Sequence, residues 1–103
     1  MSKFVSMNEW SFTGEIFYLK ELNGEFKASV RMRGSASRLD ATYTSNLCEI
    51  GCLLTSKAYD EAKEKNIGMY KTMTVSGHIE SWANGTSKNP KVMFIADYVM
   101  EVA

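Results

Sequence analysis

The chain has 103 residues, 45% of them hydrophobic and 23% charged, and its 12 basic residues balance its 12 acidic ones. This composition is typical of one globular domain, here 1–103, and the sequence holds no apolar run of the roughly 18 residues that a membrane span requires. Because the net charge is zero, no global field attracts nucleic acid, and any phosphate-binding site must be a local basic patch.

Few residues offer metal or redox chemistry. His78 is the only histidine, which disfavours most metal sites and catalytic triads. Cys48 and Cys52 lie on one face of a predicted strand, too far apart for a disulfide, so we interpret them as small buried apolar side chains, with a redox or metal role as the alternative. We therefore expect no metal and no cofactor. Met1–Phe4 lacks the apolar region of a signal peptide, so we expect a cytoplasmic protein.

The segment Asn8–Lys20 alternates in hydrophobicity with a period of two, which predicts a first β-strand. One predicted face carries Trp10, Phe12, Gly14, Ile16 and Tyr18, and the other carries Ser11, Thr13, Glu15, Phe17 and Leu19. Gly14 lies in mid-strand and predicts a bulge or a sharp bend. The Asn23-Gly24 pair in the following turn is a strong hairpin signal.

A second predicted strand, Phe26–Arg33, places three cations on its outward side, Lys27, Arg31 and Arg33. Outward positions on a strand are about 7 Å apart, similar to the phosphate separation in an extended single strand, which favours a contact with nucleic acid. The alternative is an ordinary solvated face, since exposed Lys and Arg are common on strands. A polar stretch that contains Arg38 and Tyr43 follows, and its length is typical of a functional loop.

The mostly apolar run Leu47–Leu54 predicts a third strand. Thr55-Ser56 predicts the start of a helix over Lys57–Lys65, whose apolar stripe would plug one end of a barrel through Ala58, Tyr59 and Ala62. Lys71–Trp82 and Lys91–Val102 predict a long closing hairpin, with Met73, Val75, Gly77, Ile79 and Ser81 on the core face of its first strand. This order of elements predicts an all-β fold, a five-stranded oligonucleotide-binding (OB) barrel with one short helix between strands 3 and 4.

Four segments also match, in order and spacing, the strands of a known family. Trp10–Ile16 has apolar residues on either side of a glycine, and Phe26–Met32 alternates apolar and small residues. Met73–Ile79 is similar to a "V-x-G-x-L" strand, and Phe94–Val99 to a closing "V-V-A-D-x-V" strand. Together they resemble the bacterial single-stranded-DNA-binding protein (SSB) family. The resemblance implies an OB fold and sequence-tolerant binding of single-stranded DNA.

The chain departs from the SSB pattern in two places. The family's third strand carries aromatic residues that stack on bases, whereas Leu47–Leu54 contains none. The sequence stops at Ala103, so we expect no acidic tail of the kind that recruits replication proteins. With these two differences, the chain resembles a short or divergent member of the family, or the tail-less primosomal accessory proteins that share the barrel.

The candidate nucleic-acid-binding residues are cations and flat side chains, the two groups that sequence-tolerant binding of a single strand needs. They are Lys27, Arg31, Arg33, Arg38, Tyr43, Lys71, Trp82, Lys88 and Lys91. Phe17, Tyr18 and Tyr70 are further candidates for stacking, although for the two tyrosines packing in the core or at an interface is favoured.

An enzyme is disfavoured because the sequence has no paired carboxylates, no glycine-rich phosphate loop and no recognisable partner for His78. We predict sequence-tolerant binding of single-stranded DNA, with RNA also open, in replication, recombination or repair. The alternative is an OB-fold protein-interaction module or a primosome accessory protein with weak affinity for nucleic acid. The outer apolar residues Phe17, Leu19, Met93 and Ile95 predict a homo-dimer or homo-tetramer.

Overall fold

The computed structural model of the chain describes residues 8–35, 47–82 and 91–103. Its elements are β1 (Trp10–Glu21), β2 (Ala28–Ser35), β3 (Leu47–Leu54), α1 (Ser56–Glu64), β4 (Thr72–Trp82) and β5 (Lys91–Val102). The strands form a closed barrel in the order β1-β2-β3-β5-β4, with β3 and β5 parallel and the other neighbours antiparallel. The predicted OB barrel with its single helix between strands 3 and 4 is confirmed. No helix in these ranges is long and apolar enough to cross a membrane.

The first strand belongs to both halves of the barrel. Residues 10–15 pair with β4 and residues 15–21 pair with β2, so Glu15 has a partner on each side. Gly14 lies next to this change of partner, and a Cβ atom there would be 2.6 Å from the carbonyl oxygen of Arg33 and 2.5 Å from Cε2 of Phe12. Only a glycine permits so close an approach of two strands, which explains the bend predicted at this residue.

The bulge in β1 lies three residues beyond Gly14. The pairing of β1 with β2 slips between Ile16 and Tyr18 and leaves Phe17 without a partner. A slip of one residue exchanges the two faces of a strand, so Leu19 packs against the core and Tyr18 is 41% exposed. The faces predicted for Tyr18 and Leu19 are therefore wrong, because strict alternation does not continue through the bulge.

The interior of the barrel is lined by aliphatic and methionine side chains from all five strands, β5 contributing Ala96 and Val99. The largest of those that are wholly buried are Ile16, Val30, Met32, Leu54, Met73 and Val75. Each contributes about 1.5–3 kcal/mol through the apolar area that it removes from water. Helix α1 closes one end with Ala58 and Ala62, which are also wholly buried, as predicted. Its N-cap is Thr55, whose hydroxyl accepts a hydrogen bond from the N–H of Ala58 at 3.2 Å.

The core face predicted for β4 is confirmed at Met73 and Val75 but ends near Gly77. Beyond this glycine Ile79 is only half-buried and Ser81 is exposed. At the same glycine the β4–β5 register slips, pairing Ser76 with Tyr98 but Gly77 with Ala96, and so leaves Asp97 as an extra residue of β5.

Both cysteines are free thiols. Cys52 is buried, and burial raises the pKa of its thiol to about 12, so the group stays protonated and unreactive at neutral pH. Cys48 is half-buried on the same strand. The interpretation of Cys52 as a small buried apolar side chain is confirmed.

Substitution of Gly77 by alanine should destabilise the barrel strongly. A Cβ atom at Gly77 would lie 1.7 Å from the carbonyl oxygen of Ile95, so the β4–β5 pair must separate locally. We expect Gly77→Ala to lower the free energy of unfolding by about 3 kcal/mol, measured by urea denaturation.

Gly51→Ala is the matched control, because a Cβ atom there would lie 3.9 Å from its nearest neighbours, Cγ of Arg31 and the carbonyl oxygen of Val30. Its unfolding midpoint should stay within experimental error of the original protein. Equal decreases in the two variants would contradict the close approach at Gly77.

Candidate nucleic-acid interface

The outward side chains of β1, β2 and β3 form one surface, here called the three-strand face. Its members are Glu15, Phe17, Tyr18, Lys20, Ser29, Arg31, Arg33, Glu49, Gly51 and Leu53. Their direction follows from the register, since the residues that alternate with them, such as Val30 and Met32, are wholly buried.

Two arginine–aromatic pairs occupy the middle of the three-strand face. The guanidinium carbon of Arg31 lies 5.4 Å from the ring centroid of Tyr18, and that of Arg33 lies 4.4 Å from the ring centroid of Phe17. These are cation–π distances, and they hold both guanidinium groups against the sheet. The bulge makes the arrangement possible, because it places the consecutive residues Phe17 and Tyr18 on the same side of β1.

Carboxylates flank one of the two arginines. The register places Arg33 between Glu15 of β1 and Glu49 of β3 in a single cross-strand row. Arg31 instead stands between Tyr18 and Gly51, which bear no charge. The cationic character of the three-strand face is therefore greatest at Arg31 and is partly cancelled at Arg33.

Five of the predicted binding residues lie in the described ranges with their side chains. Arg31 and Arg33 share the outward side of β2, as the sequence predicted, and Lys27 precedes that strand, its N–H donating to the carbonyl oxygen of Leu54 at 2.9 Å. Lys71 lies beside the β1 bulge, where its carbonyl oxygen accepts a 2.8 Å hydrogen bond from the N–H of Ile16.

Lys91 lies at the other end of the hairpin, where it pairs with Trp82. The 11 residues of β4 therefore separate it from Lys71 by about 36 Å at 3.3 Å per residue, so these two lysines do not form one patch. Arg38, Tyr43 and Lys88 lie outside the described residues, as does the side chain of Trp82.

A second polar cluster, which the sequence pattern did not reveal, lies on β4 and β5. Nδ1 of His78 is 2.5 Å from Oδ2 of Asp97, and Nε2 of His78 is 2.7 Å from Oε2 of Glu80. The expectation that His78 has no recognisable partner is wrong, since Asp97 is distant in sequence and reaches His78 only through the slip in β5. Glu80, two residues away on the same face, was the one visible signal.

The two hydrogen bonds favour the charged form of the imidazole. Both ring nitrogens donate hydrogen bonds only when His78 is protonated, and its bonds to Glu80 and Asp97 raise its pKa above the usual 6.5. With both nitrogens engaged, His78 has no free nitrogen to accept a proton from a nucleophile, so the cluster does not form a catalytic triad.

The cluster borders a groove of about 600 Å³ over β1, β4 and β5, away from the three-strand face. The groove is lined by Asn8, Glu9, Trp10, Ser11, Ser76, Gly77, His78, Asp97 and Tyr98. Trp10 fixes its floor, because the indole N–H lies 2.9 Å from the carbonyl oxygen of His78 and 3.1 Å from that of Ile95. Among the described residues, carboxylates but no lysine or arginine line this groove, so it is not suited to phosphate.

The hydrogen bonds of His78 to Glu80 and Asp97 should make the stability of the folded chain fall as the pH rises above 6.5. Because the pKa of His78 is raised in the folded chain, its stabilising contribution is complete below the unfolded value of 6.5 and disappears as the pH rises through the folded value. NMR of this single histidine should give a folded pKa above that measured in urea, and the free energy of unfolding should fall over the same pH interval.

His78→Gln should remove that fall and leave the stability nearly constant through the interval. A folded histidine pKa at or below the value in urea would contradict the double hydrogen bond.

Comparison with known proteins finds the same barrel in solved structures, although no protein-family model and no curated protein matches the sequence. The chain is similar to the SSB of Plasmodium falciparum, solved in complex with single-stranded DNA, with a TM-score of 0.60, 15% identity, and coverage of 94% of this chain and 92% of that one. A small single-stranded-DNA-binding protein from Mycoplasma pneumoniae gives a TM-score of 0.57 at 13% identity, covering 93% and 94% of the two chains.

The N-terminal domain of PriB from Thermoanaerobacter tencongensis, described as dimeric, also gives a TM-score of 0.57, at 11% identity, with coverage of 93% of this chain and 96% of that one. Each likeness spans nearly the whole of both chains, and at these identities it establishes the fold. The chain is an OB barrel that resembles those of small single-stranded-DNA-binding and PriB-type proteins.

Proposed function

We propose that this protein binds single-stranded DNA without sequence preference, through the three-strand face, as a non-enzymatic homo-oligomer in replication, recombination or repair. The observation that carries the proposal is the pair of arginines on β2, each held over an aromatic ring. The fold supports it, since the similar structures include proteins described as binding single-stranded DNA.

The chemistry of this pair suits a nucleic-acid backbone. A guanidinium group donates two parallel hydrogen bonds to a phosphate, and Arg31 and Arg33 are two residues apart on a strand, about 7 Å. Because Tyr18 and Phe17 already hold these side chains, they give up less rotational freedom when a phosphate binds. Lys27 and Lys71 would extend the contact at the two sides of the pair.

The opposing carboxylates imply a modest affinity for each subunit. Glu15 and Glu49 flank Arg33 and repel phosphate, so several subunits on one strand would be needed for tight binding. Leu19 and Ile95, which the sequence suggested for a subunit contact, are used within the barrel itself, Ile95 being 1% exposed. The exposed apolar residues of β5, Val92, Tyr98 and Met100, are the better candidates for that contact.

The salt dependence of binding tests the phosphate contacts. Titration of the protein into a labelled 16-residue oligo-dT, followed by anisotropy, should give an affinity that falls as salt rises. In Arg31→Ala and Arg33→Ala the log–log slope should become shallower by about 0.7 for each phosphate that the variant no longer neutralises.

Lys65→Ala is the control, because it removes the same charge at the end of α1 and should leave the slope unchanged. An anisotropy that stays constant at low salt and high protein concentration would refute the proposal. It would favour instead the protein-interaction module considered from the sequence. An RNA oligomer of equal length, titrated in parallel, decides which nucleic acid is preferred.

Removal of a carboxylate beside Arg33 should strengthen binding. Glu49→Gln keeps the size of the side chain but removes the charge that repels phosphate, so we expect the affinity for oligo-dT to rise roughly threefold at low salt and less at high salt. Glu64→Gln on α1 is the matched control, with an equal change in net charge away from the three-strand face. Equal effects of the two substitutions would mean that only the net charge matters.

A further inference from the structure

Building on the proposed function, we propose that the base-stacking site of this protein is Tyr18, on the bulged first strand, and that it takes a nucleobase beside Arg31 and above Gly51. The third strand, Leu47–Leu54, contains no aromatic residue. The three-strand face has its aromatic rings on β1 instead.

Tyr18 has the more accessible of the two rings on the three-strand face. It is 41% exposed on the outer side of the barrel, and it lies directly across from Arg31. Phe17 is half-buried, and Arg33 lies closer over it, at 4.4 Å against 5.4 Å for Arg31 over Tyr18. Tyr18 therefore presents the more open ring, and Phe17 is a positioning residue that supports Arg33.

Gly51 leaves room for a base beside this ring. The cross-strand row that contains Tyr18 and Arg31 ends at Gly51 of β3, which has no side chain. Among the described residues, only Cγ of Arg31 and the carbonyl oxygen of Val30 lie within 4 Å of the place where a Cβ of Gly51 would be, both at 3.9 Å. The row thus has a ring at one end, a guanidinium group in the middle and an open shelf at the other end.

The groups in this row suit a base of any identity. A nucleobase stacks on a tyrosine ring and on the plane of a guanidinium group, and neither contact depends on which base is present. The charges of the face are nearly balanced, with Glu15 and Glu49 beside Arg33, so phosphate contacts alone give weak binding. Base stacking must then supply a substantial share of the affinity.

The test compares two 16-residue oligomers with equal charge, oligo-dT and an abasic strand of the same length. The original protein should bind oligo-dT about tenfold more tightly than the abasic strand, the contribution of one stacked base. Tyr18→Ala should abolish most of this preference. It frees Arg31 and so weakens the phosphate contact with both strands alike, but only the affinity for oligo-dT should also lose the contribution of the stacked base. Tyr18→Phe, which keeps the ring, should retain the preference.

Tyr70→Ala is the matched control, since Tyr70 is still more exposed, at 71%, but lies before β4. It should leave the preference intact, and a decrease equal to that of Tyr18→Ala would overturn the assignment. Gly51→Tyr adds a ring to the shelf and removes no contact, so it tests the site even where Tyr18→Ala fails to fold. Because the new ring fills the place of the base, we expect Gly51→Tyr to lower the affinity for oligo-dT towards that for the abasic strand, and an unchanged oligo-dT affinity would contradict the open shelf.

The outcomes separate the stacking site from the proposed function. Equal binding of both strands by the original protein would overturn the stacking site and leave phosphate binding in place. A preference for oligo-dT that survives Tyr18→Ala would also overturn it, because the bases would then stack elsewhere. Binding of neither strand would refute the proposed function itself.

Discussion

The architecture depends on one constraint, that a single strand must pair with two partners in succession. β1 leaves β4 and joins β2 at Glu15, and the barrel closes only because the chain can bend there. Gly14 makes the bend possible by removing a side chain that would collide with the backbone of Arg33. Three residues later the bulge shifts the register between β1 and β2 by one residue, and this shift turns Tyr18 outward. The closure of the core and the composition of the three-strand face therefore have a common origin in this short segment.

The charges of the barrel are divided between two surfaces. The three-strand face combines its arginines with aromatic rings, whereas the groove over β1, β4 and β5 carries Glu9, Asp97 and His78. A net charge of zero thus conceals two surfaces of different character. Under the proposed function, this division would confine the bound polyanion to one side of the molecule.

The fold could be predicted from the sequence because its strands are long and strictly periodic. The bounds of β3 and β5 agree with those predicted, and the bounds of the helix and of β4 differ by one residue. The faces of β1 beyond Ile16 could not be predicted, because a bulge inserts one residue into a register that depends on the partner strand. The pairing of His78 with Asp97 was hidden for the same reason, since Asp97 is the extra residue of a slip in β5.

The candidate site was predictable only in part. Simple alternation places Arg31 and Arg33 correctly, because β2 runs without interruption between its neighbours. The sequence also suggested Lys71 and Lys91 as binding residues because of their charge. In the structure these two lysines lie at opposite ends of β4. The role of Gly51 could not be predicted from the sequence. It depends on the residues in the same cross-strand row, Arg31 and Tyr18, and the sequence does not show which residues share a row.

The parallel pairing of β3 with β5 has a consequence for the order in which the molecule is made. Of the strands in the described ranges β5 is made after the other four, yet it pairs with both β3 and β4. While the ribosome is still synthesising it, β3 and β4 each have an unpaired edge, and the apolar inner faces of both strands lack their final neighbour. Barrel closure must therefore await the synthesis of β5, and until then the growing chain carries two edges that can pair with other chains.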